Sequence, residues 1–463
     1  MKIEKYTIDY IPESERHGKV SNLFSIFFSG NIHMTTLVTG ALAITYGLNV
    51  FWSIIAIVLG TLFGALFMAS HAAQGPQLGI PQMIQSRAQF GVIGAVIPLL
   101  VVIVMYIGYF ATSGLLGAQA IAALFHIPVN VALIISTVIV CVGTIYGYDL
   151  IHVIQRYLTI IFVAVYTILT FLAFKLPLPE HSWAISQFSL KEFAMVFTIA
   201  LTWQLFWAPY VADYSRYLPS DTPATKTFNY SFWGTSMGSI WMMVLGVFFT
   251  ASIPQFLDNS SMNLANLFGP FSVIVYLVLI LGVLDINIFN LYGAFMATIT
   301  CLEPFTKLRG TTKVRASLVV CIAIISTTLA LAGKGDFIHY YSNFVNLLLY
   351  VLIPWTSINL VDYYFVRHGK YNVKAIFDLN GEYGKVNWLS ILAYTIGVFT
   401  EIPFIDTSLY KGPLADLIKG IDVTWFTGML FSGILYYVFM KKKLTSTSES
   451  KLTLIEDTDT PSA

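Results

Sequence analysis

Stretches of about twenty apolar residues recur along the whole chain, separated by short polar or Gly/Pro-rich turns. About 20 residues at 1.5 Å rise cross the hydrocarbon core of a bilayer, where backbone polar groups must be bonded within their own segment. Helices satisfy that requirement. Twelve spans are read, at roughly 22–45, 49–69, 94–124, 129–148, 154–174, 192–217, 232–253, 268–304, 316–333, 341–366, 387–404 and 421–440. Only 11% of the 463 residues are charged, against roughly 25% in a soluble domain. The expected fold class is an all-α polytopic membrane protein with twelve transmembrane helices. Its membrane domain covers 22–440, between an N-terminal tail (1–21) and a C-terminal tail (441–463) too poor in hydrophobic residues to order.

Positive charge sets the orientation. Twenty of the twenty-five lysines and arginines fall on the side that carries both tails, which places both termini in the cytoplasm. The polar stretch Met1–Lys19 does not read as a signal peptide, and the expected location is a bacterial plasma membrane. Cys141, Cys301 and Cys321 lie in apolar segments without CxxC or metal-ligand spacing, so they read as packing residues.

Two spans are interrupted. Span one reads Ser29-Gly30-Asn31-Ile32-His33-Met34-Thr35-Thr36, a polar break in an apolar helix. Span six contains Pro209, which lacks the backbone donor its helix needs. Unwound backbone at membrane depth survives only inside protein or along a cavity. The breaks are five spans apart, the spacing of an inverted 5+5 repeat with matching discontinuous helices. The repeats would cover about 22–174 and 192–366, with two extra helices over 387–440. Span eight adds Asp285, Asn287 and Asn290 within an apolar run. A carboxylate at that depth costs at least about 2.5–3.5 kcal/mol, so it must face a partner, a cavity or an ion.

Three long segments carry a resemblance. Gly75-Pro76-Gln77-Leu78-Gly79-Ile80-Pro81-Gln82-Met83, running on to Ser86-Arg87-Ala88-Gln89-Phe90-Gly91, resembles the loop after span two in nucleobase–cation symporters. Trp207-Ala208-Pro209-Tyr210-Val211-Ala212-Asp213-Tyr214-Ser215-Arg216-Tyr217-Leu218-Pro219 resembles the end of span six in their purine–cytosine permease branch. Pro354-Trp355-Thr356-Ser357-Ile358-Asn359-Leu360-Val361-Asp362-Tyr363-Tyr364 is similar to the end of span ten there, and Asn290-Leu291-Tyr292 also fits. The resemblance implies the LeuT-type fold, ten core helices plus two, working by alternating access.

It also implies where the sites lie. The coupling cation would sit between the break of span one (Gly30, His33) and span eight (Gly282, Asp285, Ile286). Sodium-coupled relatives carry hydroxyl residues at the last two positions. Asp285 therefore reads either as a charged sodium ligand, with Gly30 and His33, or as the acceptor of a proton; low dielectric disfavours a charged carboxyl and suits reversible protonation. Pairing of Asp285 with His33 is the structural alternative. For the substrate, Asn287 and Gln204 offer amides able to read a ring edge, with Asn290 one turn beyond Asn287. Trp203, Trp207, Tyr109 and Tyr106 offer stacking faces, and Met34 follows the span-one break. Relatives often have tryptophan and glutamine in span three, where this chain has Met105, Tyr106, Gly108, Tyr109 and Ser113. Asp213 with Arg216, Asp362 with Arg367, Arg87, and the group Asp149, His152 and Arg156 lie at helix ends and read first as structural. Glu401 in span eleven is assigned no role.

Rival classes leave no trace. There is no HExxH or P-loop, and no repeated selectivity element of the kind a channel needs. The function expected is import of a nucleobase-like heterocycle by symport with Na+ or H+, with no resident cofactor and no nucleic-acid partner. Allantoin, hydantoins, uracil and thiamine-like or pyridoxine-like vitamins remain open as cargo.

Overall fold

The computed structural model describes residues 8–146, 148–306 and 311–458, the side chains of 146–158 and 445–458 excepted. Asp149, His152 and Arg156 therefore lie outside the described side chains. Among the described residues there is no β-strand, only an isolated bridge between Asp406 and Lys411.

Every span read from the sequence has helical counterparts. Span one is two helices, Asn22–Ser29 and Met34–Thr45. Span two is Val50–Ala72, capped by the Asn49 side chain accepting from the Trp52 amide at 3.0 Å. Spans three to five are Val96–Phe125, Val129–Tyr146 and Tyr148–Ala173. Span six divides into Leu190–Leu205 and Val211–Ser215 around a short 3-10 turn at Ala208–Tyr210. Spans seven to nine are Ala224–Ser252, Ser272–Leu302 and Thr312–Gly333. Span ten is Phe337–Val361, widening into a π-turn at Asp362–Val366, and span eleven is Trp388–Glu401. Six helical stretches among the described residues are long and apolar enough to cross a membrane unaided; others, such as Met34–Thr45 and Trp388–Phe404, are shorter. Large apolar side chains on the outside, among them Leu100, Val104, Phe171, Phe174 and Ile324, form a surface suited to lipid rather than water.

Three features depart from the sequence expectation. Span seven starts about two turns early, directly after Pro223, because Ala224–Ser231 are polar but contain no breaker. The final helix runs Thr424–Thr458, well into the tail expected to be disordered; no glycine or proline follows Gly433 before its end. The segment after span two is not an irregular loop. It forms Gly75–Leu78 and Gln82–Phe90, and every residue of the second helix is buried. Its glutamines make the burial tolerable: Gln82 Nε2 lies 3.2 Å from His71 Nδ1, Gln85 donates to Gln74 Oε1 at 2.6 Å, and Gln74 donates to Asn359 Oδ1 at 3.1 Å.

Span eight lies along span three, span two along span six, and span seven along both halves of span one. The first of these contacts needs Gly293. A β-carbon there would overlap the Tyr106 ring, which lies flush against span eight. Gly293→Val is expected to lose roughly 1–3 kcal/mol of stability, the usual effect of overpacking. Thermal unfolding of the purified protein measures this, and the loss from Gly293→Val should largely vanish when it is made in a Tyr106→Ala background rather than in the wild type. An equal loss in both backgrounds would show that the clash lies elsewhere.

Candidate substrate and cation site

Both helix breaks follow from local chemistry. After Ser29 the chain turns at Gly30 and Asn31, and His33 is extended (φ −152°, ψ 168°) before helix resumes at Met34. Gly30 is where Trp207 of span six approaches; a β-carbon would sit 2.6 Å from its ring. In span six the helix stops at Leu205, two residues turn, and Pro209 sits inside the 3-10 turn, where its missing N–H is harmless.

A buried polar network ties the two breaks to span seven. Asn31 Nδ2 donates to the Phe27 carbonyl (2.7 Å) and to Thr235 Oγ1 (3.2 Å). Asn31 Oδ1 accepts from Trp203 Nε1 (2.7 Å) and Ser239 Oγ (2.8 Å). Gln204 belongs to the same network, donating to Ser239 Oγ at 2.9 Å and accepting from Thr235 Oγ1 at 2.6 Å. Its amide is thus occupied, and Gln204 lines neither central cavity. The signal for this was present: Thr235 and Ser239 are four apart, one polar face on an apolar helix.

Two adjoining cavities occupy the space between the breaks and spans three and eight. The larger, about 90 Å³, is walled by Gly30 and His33 of span one and Gly282, Asp285 and Asn290 of span eight. Tyr106, Trp207, Tyr210, Asp213 and Arg216 are also on its wall. The smaller, about 30 Å³, is walled by His33, Thr35, Tyr109, Ser113, Trp203, Phe206 and Asn290. His33, Trp207, Tyr210, Ile286 and Asn290 belong to both.

Asp285 faces the larger cavity and makes no hydrogen bond or ion pair among the described residues. Its pairing with His33 is not found: His33 Nε2 lies 3.3 Å from Thr36 Oγ1, and its Nδ1 has no partner. Asn287 lines neither cavity. Its Oδ1 accepts from Ser113 Oγ and from Asn290 Nδ2 (3.3 Å), and its Nδ2 donates to the Phe110 carbonyl (3.3 Å), so it joins span eight to span three. Asn290, one turn on, lines both cavities with its Oδ1 unpartnered. Tyr109 packs edge-on against Trp203 (5.9 Å between centroids) and Phe206 (4.8 Å). Tyr106 leans on Tyr210 at 5.4 Å, and Trp207 on Tyr210 at 5.2 Å. Met34 is buried and lines neither cavity.

The charged groups near helix ends hold elements together. Arg87, fully buried, pairs with Glu303 at 2.7 Å and donates to the Thr300 carbonyl at 3.2 Å, joining the helix Gln82–Phe90 to the end of span eight. Asp213 Oδ1 accepts from the Gln82 amide at 2.8 Å. Asp362 pairs with Arg367 at 3.2 Å.

Residues 10–428 match a family described as permeases for cytosine/purines, uracil, thiamine and allantoin. The chain is 52% identical over 444 residues to the putative purine-cytosine permease YxlA of Bacillus subtilis (strain 168), covering 96% of this chain and 97% of that one. It is 23% identical over 476 residues to the purine-cytosine permease FCY2 of Saccharomyces cerevisiae, covering 96% and 87%. Its fold is similar to that of Mhp1, a nucleobase-cation-symport-1 family transporter solved in a closed conformation with bromovinylhydantoin bound. The TM-score is 0.76 at 16% identity, over 96% of each chain.

Proposed function

The chain belongs to the family of permeases for cytosine/purines, uracil, thiamine and allantoin, and from that premise we propose that it imports a purine or cytosine by proton symport, through alternating access. Twelve spans in a 5+5 inverted repeat plus two, with both termini cytoplasmic, form the scaffold. The carrying observation is an acidic side chain with no hydrogen bond or ion pair among the described residues, Asp285, on a cavity bounded by both helix breaks. The half-helices ending at Ser29 and Leu205 and starting at Met34 and Val211 bring dipole ends and unwound carbonyls to that cavity. The heterocycle lies beside Trp203, Trp207 and Tyr109, with Asn290 at its edge. Protons are favoured over sodium because Ile286, beside Asp285 where sodium-coupled relatives carry a hydroxyl residue, brings no side-chain oxygen to the cavity.

Counterflow of labelled adenine, cytosine, hypoxanthine, uracil and allantoin into liposomes holding the purified protein tests the cargo. Saturable exchange of cytosine or a purine is expected. An imposed pH gradient should then drive accumulation without sodium. Exchange of none of these compounds would end the reading, and accumulation that strictly requires a sodium gradient would reassign the ion.

A further inference from the structure

Three side chains around the smaller cavity each hold a buried polar atom with no well-formed hydrogen bond among the described residues: His33 Nδ1, whose ring approaches the Gly30 backbone, Thr35 Oγ1 and the Tyr109 hydroxyl. Other buried atoms of this kind occur elsewhere in the molecule, among them Thr198 Oγ1, Ser236 Oγ and the Glu401 carboxyl, but these three belong to side chains that line one cavity. These three do not scatter. His33 and Thr35 flank the point where span one resumes its helix, Tyr109 comes from span three, and Trp203 stands between them. The His33 ring lies 5.9 Å from the Trp203 ring at 44°, and the Tyr109 ring 5.9 Å from it at 89°. Asn290 Oδ1 adds a fourth unpartnered atom on the same cavity. The amides that the sequence pointed to, Gln204 and Asn287, are both occupied in holding helices together.

We propose that His33, Thr35 and Tyr109, with Asn290, form the edge-reading wall of the substrate site, matched to a neutral heterocycle whose edge sets a ring N–H donor beside a carbonyl or ring-nitrogen acceptor. The inference rests on the transport reading above and deepens it. A hydroxyl and a neutral imidazole can each donate and accept, whereas the Asn290 carbonyl only accepts. Such a set satisfies an alternating donor–acceptor edge in more than one register. It brings no fixed charge to this wall, so a permanently cationic ring gains nothing from it. At about 30 Å³ the smaller cavity has room for about two waters, so the ring occupies it jointly with the larger cavity, one face toward Trp203. The three orphaned atoms then find their partners on the cargo.

The test is binding of cytosine and hypoxanthine, each against its ring-N-methylated form, to the purified full-length protein. A site built around a substrate N–H rejects the analogue that lacks it, here by at least about a hundredfold. Tyr109→Phe and Thr35→Val each delete one hydroxyl with little change of shape. Each should weaken the parent base by about tenfold and shrink the parent-to-methyl ratio, while Thr35→Ser restores both. Melting temperatures identify a variant that merely misfolds; for Thr35 the Ser variant then decides, and if Tyr109→Phe misfolds the Thr35 pair decides alone. Unchanged affinity and ratio in both deletions, with the wild type binding normally, would overturn the assignment. A wild-type protein that binds neither base sinks the transport reading instead.

Discussion

Asp285→Asn is expected to abolish concentrative uptake while leaving exchange intact. Asparagine copies the shape and neutrality of a protonated carboxyl but cannot release a proton. In liposomes with a pH gradient of one unit, alkaline inside, a one-proton symporter accumulates its cargo about tenfold, the 1.36 kcal/mol of that gradient. The variant should stop at equal concentrations on the two sides. Counterflow needs only loading and reorientation, so it should persist near the wild-type rate. The expectation rests on position, because Asp285 is on the cavity wall, with neither a hydrogen bond nor an ion pair among the described residues. A buried acid retained only for packing would be bonded. If Asp285→Asn still concentrates cytosine like the wild type, the proton is carried elsewhere and this reading of span eight is wrong.

What the sequence made legible follows from what the membrane forbids. The breaks at Gly30–His33 and Pro209, and the acid at position 285, stand out because bilayer depth penalises unbonded backbone and isolated charge. The structure has helix ends at those breaks and a cavity beside that acid. Gln204 was harder to place. An amide is suited equally to a ring edge or to Thr235 and Ser239, and only the packing of span six on span seven decides between them. Asn287 and Asn290 lie on neighbouring faces of one helix, and a rotation of less than a full turn separates a strut from a cavity wall. From sequence the helix Gln82–Phe90 reads as a loop because glycines and prolines, Gly75, Pro76, Gly79 and Pro81, precede it. Its polar residues hid a buried role, since glutamines look solvent-facing until their partners on spans two and ten are in place. The orphaned atoms of His33, Thr35 and Tyr109 leave no mark in sequence at all, because an unmet hydrogen bond is a property of three-dimensional surroundings.

Those surroundings also single out Asp362, whose removal is expected to damage the protein more than any change at the cavity. It is fully buried, at the π-turn that ends span ten. It accepts from Gln89 Nε2 (2.8 Å), the Tyr371 hydroxyl (2.7 Å), the Tyr436 hydroxyl (2.8 Å) and Arg367 Nε (3.2 Å). One carboxylate thereby joins the helix Gln82–Phe90, the segment after span ten and the last helix. Asp362→Ala leaves an amide and two phenols without their acceptor, and a part-buried guanidinium with only the Glu382 carboxylate, at 3.7 Å, to pair with among the described residues. Breaking a buried pair from one side costs about 3–5 kcal/mol. A large fall in melting temperature in detergent is therefore expected, with little folded protein recovered. Asp362→Asn keeps an acceptor oxygen and should fall between. Removing both charges, as Asp362→Leu with Arg367→Met, should harm less than the sum of the single changes, since no unpaired charge remains. An Asp362→Ala protein that melts with the wild type would mean that water reaches these groups, and that the helix Gln82–Phe90 is held by its glutamine contacts to spans two and ten instead.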